Sequence, residues 1–264
     1  MVGGRGGPAL ITLTTDFGST DPFVGIMKGV IAMRAPGEPV VDLSHGIPPQ
    51  NVVAGALVLR AAVPYFPARA IHVAVVDPGV GTARRAICVE TADACFVGPD
   101  NGLLSLAAPL ERALRVVEIT NDAYLLSPRS RTFHGRDVFA PAAAALASGI
   151  APAALGPERT EMAELTLPVA VRDGRAIRGE VIYVDGFGNL ATNVEAAMLP
   201  ARVVYVEIGR HAISRIVDTY AAVDPETVLA LVNSWGVLEI AVRNGDARRR
   251  LGAEVGAPVT IVGD

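Results

Sequence analysis

The chain has 264 residues, of which 51% are hydrophobic and 19% charged, a balance that suits a globular core and excludes a disordered polymer. A net charge of −4 and a pI near 5.6 argue against an electrostatically driven nucleic-acid binder. Apolar runs extend roughly 5–9 residues, short of the ~20 that a bilayer span needs. The opening MVGGRGGPALITLTT reads as a frayed glycine-rich terminus entering a strand rather than a signal peptide, so the expected location is cytoplasmic. Cys88 and Cys95 form no CxxC and no Cys/His metal spacing, and both are expected to be small buried hydrophobes.

In chain order, residues 9–15 (ALITLTT) predict a strand. Asp21 then reads as a helix N-cap with Pro22 at the first helical position, and Phe23, Ile26, Met27, Val30 and Ile31 recur at helical spacing until Pro36. Residues 39–43 predict a second strand, and Asn51 caps a helix running to about Val63, before Pro64. The continuous apolar run 70–77 predicts a strand buried on both faces. ICVET and CFVGP flank a TAD turn as a hairpin; a strand near 115–119 and a helix from about Asp137 to Ala147 follow. After about residue 165 the texture changes to short strands between turns: 179–185, 202–209, 212–218, 228–232, 237–242 and 258–263. The expected architecture is an α/β domain over 1–165 with a mainly parallel sheet flanked by helices, followed by an all-β, barrel-like domain over 166–264. Arg248–Arg249–Arg250, beside Asp246 and Glu254, reads as a solvated surface turn.

Ligands of open α/β sheets bind at the carboxyl ends of the strands, and here those ends collect polar residues. They carry Thr14-Thr15-Asp16-Phe17-Gly18, Asp42-Leu43-Ser44-His45-Gly46, Asp77-Pro78-Gly79-Val80-Gly81-Thr82 with Arg84, Gly98-Pro99-Asp100-Asn101-Gly102, and Thr132-Phe133-His134-Gly135-Arg136-Asp137. Each also has a purely structural reading. Asp16 can cap the turn before Gly18, Asp77-Pro78-Gly79 is good turn chemistry, Arg84 can pair with Glu90, and His134 can cap the helix that follows. His45 can simply hold its turn, His72 suits a satisfied core histidine, and His211 carries no assignment. The sequence has no P-loop lysine, no GxGxxG opening a helix, no GxSxG elbow and no DxD or paired-carboxylate helix for a metal.

TTDFG with DPFVGIMKG, then DLSHGIPPQ, VVDPGVGT with Arg84, GPDNGLL, TFHGRDVFAP, DGFGN and NSWGVLEIAV occur in one order across nearly the whole chain. In this register the sequence resembles the SAM hydroxide adenosyltransferases, adenosine-forming hydrolases of S-adenosylmethionine (SAM) related to the fluorinase and chlorinase. The resemblance implies an N-terminal α/β domain, a C-terminal β-barrel and a homotrimer whose sites lie between the N-terminal domain of one subunit and the C-terminal domain of the next. SAM is then the substrate, with no cofactor and no metal. By matching motif, Asp77, Arg84 and His134 correspond to the water-handling triad, and Asp16 to the carboxylate that grips the ribose 2′ and 3′ hydroxyls. Phe187 and Asn189 correspond to residues around the adenine, Asp185 and Ser234 to holders of the methionine amine and carboxylate, and the backbone near Arg243-Asn244 to a further contact with the base.

Halogenating relatives carry a Tyr-type residue where Asp77 stands, an inserted loop absent here, and an Arg where Trp235 follows the serine. The first two differences favour water over halide. The rival readings are a chlorinase-like SAM enzyme and a non-catalytic SAM- or adenosine-binding module, with a carboxylate-metal hydrolase further off. Whether Asp77 or His134 accepts the water's proton stays open at this level.

Overall fold

A computed structural model of the protein describes residues 9–264, so the expectation of a frayed segment over 1–8 lies outside the described residues. The chain divides into two compact units, the first ending at Leu165 and the second spanning Thr166–Asp264. Among the described residues no helix is long and apolar enough to cross a membrane.

The first unit contains β1 (Ile11–Thr15), α1 (Phe23–Arg34), β2 (Val40–Ser44), α2 (Val52–Ala62), β3 (Ala70–Val75), β4 (Ala86–Glu90), β5 (Ala94–Pro99), β6 (Arg115–Glu118), α3 (Ala140–Ala147) and β7 (Glu158–Arg159). Its sheet runs β2-β1-β3-β5-β4-β6-β7. The pairings among β2, β1, β3 and β5 are parallel, whereas β5–β4, β4–β6 and β6–β7 are antiparallel. The α/β class therefore holds in a mixed sheet: the ICVET/CFVGP hairpin turns the chain round and makes one half antiparallel. Side-chain alternation divides each parallel strand between two faces. Ile11, Leu13, Ile71, Val73 and Val75 join Met27 and Ile31 of α1 and Ala142, Ala143 and Leu146 of α3 in one core. On α2, Gly55 is required by close approach, because a Cβ there would lie 2.8 Å from Leu103 and 3.0 Å from Val76.

Local signals decide several boundaries. Asn51 caps α2, its side chain accepting from the backbone N–H of Ala54 at 2.9 Å. The Asp21 cap is not made: Pro22 occupies the cap position of α1 and no side chain bonds the first turn. The last helix opens with a π-helical turn over Gly135–Phe139 before continuing as α3, and His134 makes no side-chain cap. His72 is the satisfied core histidine expected, 1% exposed, bonded through Nδ1 to Thr12 Oγ1 at 2.8 Å and stacked on Phe96. Cys88 is buried, but Cys95 only partly so.

The second unit contains β8 (Val171–Asp173), β9 (Ala176–Val184), β10 (Leu190–Glu195), β11 (Val203–Ile208), β12 (His211–Ile213), β13 (Ile216–Val217), β14 (Val228–Val232), β15 (Val237–Val242), the short helix α4 (Ala247–Leu251) and β16 (Pro258–Gly263). The order β12-β11-β16-β9-β10-β15-β14-β13, with β8 on β9, makes a nine-stranded sheet that curls until β12 nears β14. The expected strand over 212–218 is two short strands on different neighbours, β12 on β11 and β13 on β14. The arginine run 248–250 is exposed as expected but lies in α4, which Asp246 caps by accepting from Arg249 N at 2.8 Å.

Candidate functional site

At the carboxyl ends of the parallel strands, β1 and β3 lie side by side, with Thr15 opposite Val75. Asp16 and Asp77 thus leave adjacent strands, whose axes are separated by roughly 5 Å. Asp16 does not cap its own turn. Its Oδ2 accepts from the backbone N–H of Gln50 at 2.8 Å, which ties the β1 end to the loop before α2. Beneath it, Thr15 Oγ1 lies 2.8 Å from His45 Nδ1, and Gly18 N donates to the His45 carbonyl at 2.8 Å. His45 Nε2 is 2.9 Å from Asp42 Oδ1 without a well-aligned hydrogen bond, and Asp42 pairs with Lys28 at 2.6 Å. His45 therefore holds its own turn and the Asp16 turn together.

Asp77, Arg84 and His134 come into direct contact. Arg84 Nε donates to both Asp77 oxygens, at 3.0 and 3.1 Å, and Arg84 Nη2 donates to Asp77 Oδ2. The same Nη2 lies 2.8 Å from His134 Nδ1. Glu90 is not the partner of Arg84; it pairs with Arg115 instead. The side chains of Arg84 and Asp77 are only 10% and 6% exposed, so the pair is desolvated and directional rather than a surface contact. Arg84 also donates to the carbonyl of Arg85 at 3.2 Å and lies over the Phe139 ring. Gly81, at φ +79°, lets the loop between Asp77 and Arg84 close on the other segment, since a Cβ there would run into the Arg131 carbonyl.

A guanidinium has no acceptor, so His134 Nδ1 must present its lone pair to Arg84, and the neutral imidazole carries its proton on Nε2. Burial, then the positive charge of Arg84, hold the His134 pKa below its ordinary value, against the opposing pull of Asp77 and Asp137. The imidazole is therefore neutral near pH 7.

In the second unit, Asp185, Asn189 and Ser234 line a cavity of about 350 Å³ with Tyr183, Tyr220, Asn233, Trp235 and Glu239. Asp185 shapes the DGFGN turn: Oδ1 accepts from the N–H groups of Phe187 and Asn189 at 2.9 Å, and Oδ2 from Asn189 Nδ2 at 2.9 Å. Phe187 is 79% exposed and Asn244 is exposed at φ +57°; neither belongs to the cavity wall. Trp235 packs on Tyr183 with ring centroids 5.0 Å apart. Glu239 was passed over by sequence reasoning, although a charge inside the apolar run VLEIAV was a signal for it. It is 5% exposed and accepts from Tyr220 Oη at 2.6 Å and Asn233 Nδ2 at 3.0 Å. Among the described residues, no group of three or more His, Cys, Asp or Glu side chains is placed to hold a metal ion.

Residues 11–156 match the SAM hydroxide adenosyltransferase N-terminal domain and residues 179–260 match its C-terminal domain. The chain belongs to the SAM hydroxide adenosyltransferase family. It is 43% identical over 262 residues to a Thermus thermophilus protein named (R)-S-adenosyl-L-methionine hydrolase, covering 94% of this chain and 97% of that one. A fluorinase of Actinoplanes sp. stands further off, 25% identical over 215 residues, covering 71% of this chain and 72% of that one. Among solved structures, an uncharacterized conserved protein from Thermotoga maritima superposes with a TM-score of 0.89 at 35% identity, covering 96% of this chain and 99% of that one.

Proposed function

We propose that this family member hydrolyses S-adenosyl-L-methionine to adenosine and L-methionine by attack of one water at C5′. The observation that carries this reading is the Arg84 guanidinium joined to Asp77 on one side and His134 on the other, in a site with little exposure. The water oxygen forms a bond to C5′ as the C5′–S bond breaks, methionine leaves as a neutral thioether, and the water's proton passes to the protein. A sulfonium needs little help in leaving, so the work lies in orienting the water and relieving it of a proton. Near-attack positioning is worth up to ~7–11 kcal/mol and proton acceptance roughly 10²–10⁴-fold.

The hydrogen-bond directions support Asp77 as the proton acceptor. The only lone pair of neutral His134 is engaged by Arg84, whereas the Asp77 carboxylate, after accepting three bonds from Arg84, keeps a free lone pair on Oδ1. His134 then acts as a donor through Nε2–H, and Arg84 favours the hydroxide-like nucleophile by its charge. Asp16 takes the ribose diol, for which a carboxylate suits because it accepts two hydrogen bonds. Asp185, Asn189 and Ser234, with Phe187 and Asn244, receive the adenine and methionine ends. The reading extends to a cytoplasmic homotrimer without metal or cofactor, in which these residues come from a neighbouring subunit; the 79% exposure of Phe187 suits such an arrangement.

Purified protein incubated with SAM in ¹⁸O-water is expected to yield adenosine labelled at the 5′ oxygen and unlabelled methionine. Unlabelled adenosine, or no products, overturns the reading. 5′-Chloro-5′-deoxyadenosine formed in chloride would favour a halogenase instead, against which Asp77 argues.

A further inference from the structure

Asp137 is 1% exposed, yet it is charged and matches none of the substrate or water contacts above. Burying a carboxylate is costly unless its oxygens are bonded, so an apolar residue would serve mere packing better. Here both carboxylate oxygens are bonded. Oδ1 accepts from Arg136 Nε at 2.6 Å, and Oδ2 accepts from Arg136 Nη2 at 2.9 Å and from the backbone N–H of Ser130 at 2.7 Å. Its own N–H donates to the Phe133 carbonyl at 3.2 Å, and its carbonyl accepts from Leu126 N at 3.0 Å. The carboxylate thus ties the start of segment 130–137 to its end, with His134 between them. The π-helical turn at Gly135–Phe139, a form that recurs at functional sites, is the local distortion in which this clasp sits.

The clasp reaches further through Arg136. Its guanidinium lies 5.3 Å from the centroid of the Phe133 ring, which packs edge-on against Phe17 and Phe23 at 6.0 and 5.2 Å. Phe17 directly follows Asp16. Gly135 is closely packed: a Cβ there would lie 3.0 Å from Met27 Sδ and 3.1 Å from Phe133, so one of those side chains would have to give.

We infer that Asp137 is a positioning residue for the reaction: by clasping segment 130–137 it holds His134 Nδ1 against Arg84. This rests on the hydrolase reading above. Asp137→Asn keeps the volume but sets an amide against the guanidinium of Arg136. Small misplacements in such sites cost up to about 100-fold, so kcat is expected to fall about 10- to 100-fold. KM for SAM and Kd for adenosine should stay within about threefold, since the binding contacts are untouched. In ¹⁵N spectra of the imidazole, the hydrogen-bonded Nδ1 signal of His134 should shift or broaden in the variant.

A variant with unchanged kcat and an unchanged His134 signal overturns the inference. So does a parallel loss of kcat and adenosine affinity, which marks general damage. If Asp137→Asn fails to fold, Arg136→Met, at a side chain 36% exposed, decides in the same two ways. The imidazole signal is read without substrate; wild-type protein that leaves SAM intact would overturn the hydrolase reading while the spectra still test the clasp.

Discussion

Asp77→Asn is the sharpest perturbation of the proposed water site, because it preserves shape and removes only the charge. In the native site Arg84 Nε donates to both Asp77 oxygens and Nη2 donates to Oδ2, with the two side chains 10% and 6% exposed. An asparagine oxygen can still accept from Nε, but its amide then faces Nη2 as a second donor. Losing a charge-assisted bond and stranding a desolvated guanidinium is expected to cost about 2–4 kcal/mol of stability. At about 2–4 °C per kcal/mol, Tm should fall by roughly 4–16 °C. The variant also lacks the proton acceptor, so kcat should drop by about 10²–10⁴-fold, or about 3–5 kcal/mol on the barrier. KM should change little, because Asp16 and the second unit's cavity are untouched. Initial rates of adenosine release at saturating SAM, measured by chromatography well below the variant's Tm, give kcat directly, and circular dichroism confirms the fold. A folded Asp77→Asn protein with kcat within about threefold of wild type would refute both the role of Asp77 and the hydrogen-bond argument behind it.

Two further predictions concern pH. His134 must be neutral to accept from Arg84, and burial together with the Arg84 charge, opposed by Asp77 and Asp137 and aided by Arg129, lowers its pKa. The kcat profile should therefore stay flat as pH falls through the ordinary histidine value of about 6.5 and decline only below it; an inflection at or above that value would contradict the lone-pair assignment. His72 is held by burial at a pKa of about 4, so between pH ~6.5 and ~4 the unfolded chain takes up a proton that the native state refuses. Its contribution is complete above the unfolded value and is lost as pH falls towards 4. From pH 7 to 4.5, wild type should lose about 2–3 kcal/mol more denaturant stability than His72→Phe, and parallel curves for the two proteins would exclude this origin.

Short-range physics made much of the fold legible. The β-rich segment ALITLTT marked β1 and a continuous apolar run marked β3, and Asn51 with Pro64 bracketed α2 within about a residue. The turn-punctuated run after residue 165 announced the second, all-β unit. Where those signals weaken, reading fails: β10, LATNVE, mixes polar and apolar residues without the alternation of a half-buried strand, and α4 is too short to show a helical period. Asp21 had the chemistry of a cap but lost the position to Pro22.

The residue types of the site were visible as polar clusters at strand ends, and motif resemblance attached roles to them. Their bonding was not, since Arg84 and His134 stand 50 positions apart and Asp16 meets Gln50 across 34. Sequence alone thus determined most of the strands and helices, because those choices depend largely on neighbours a few residues away. Tertiary structure decided that Arg84 grips Asp77 rather than Glu90, which nitrogen of His134 carries the proton, and that Asp137 closes the loop behind it. Each of those depends on directional contacts between groups that only the folded path of the chain brings within reach.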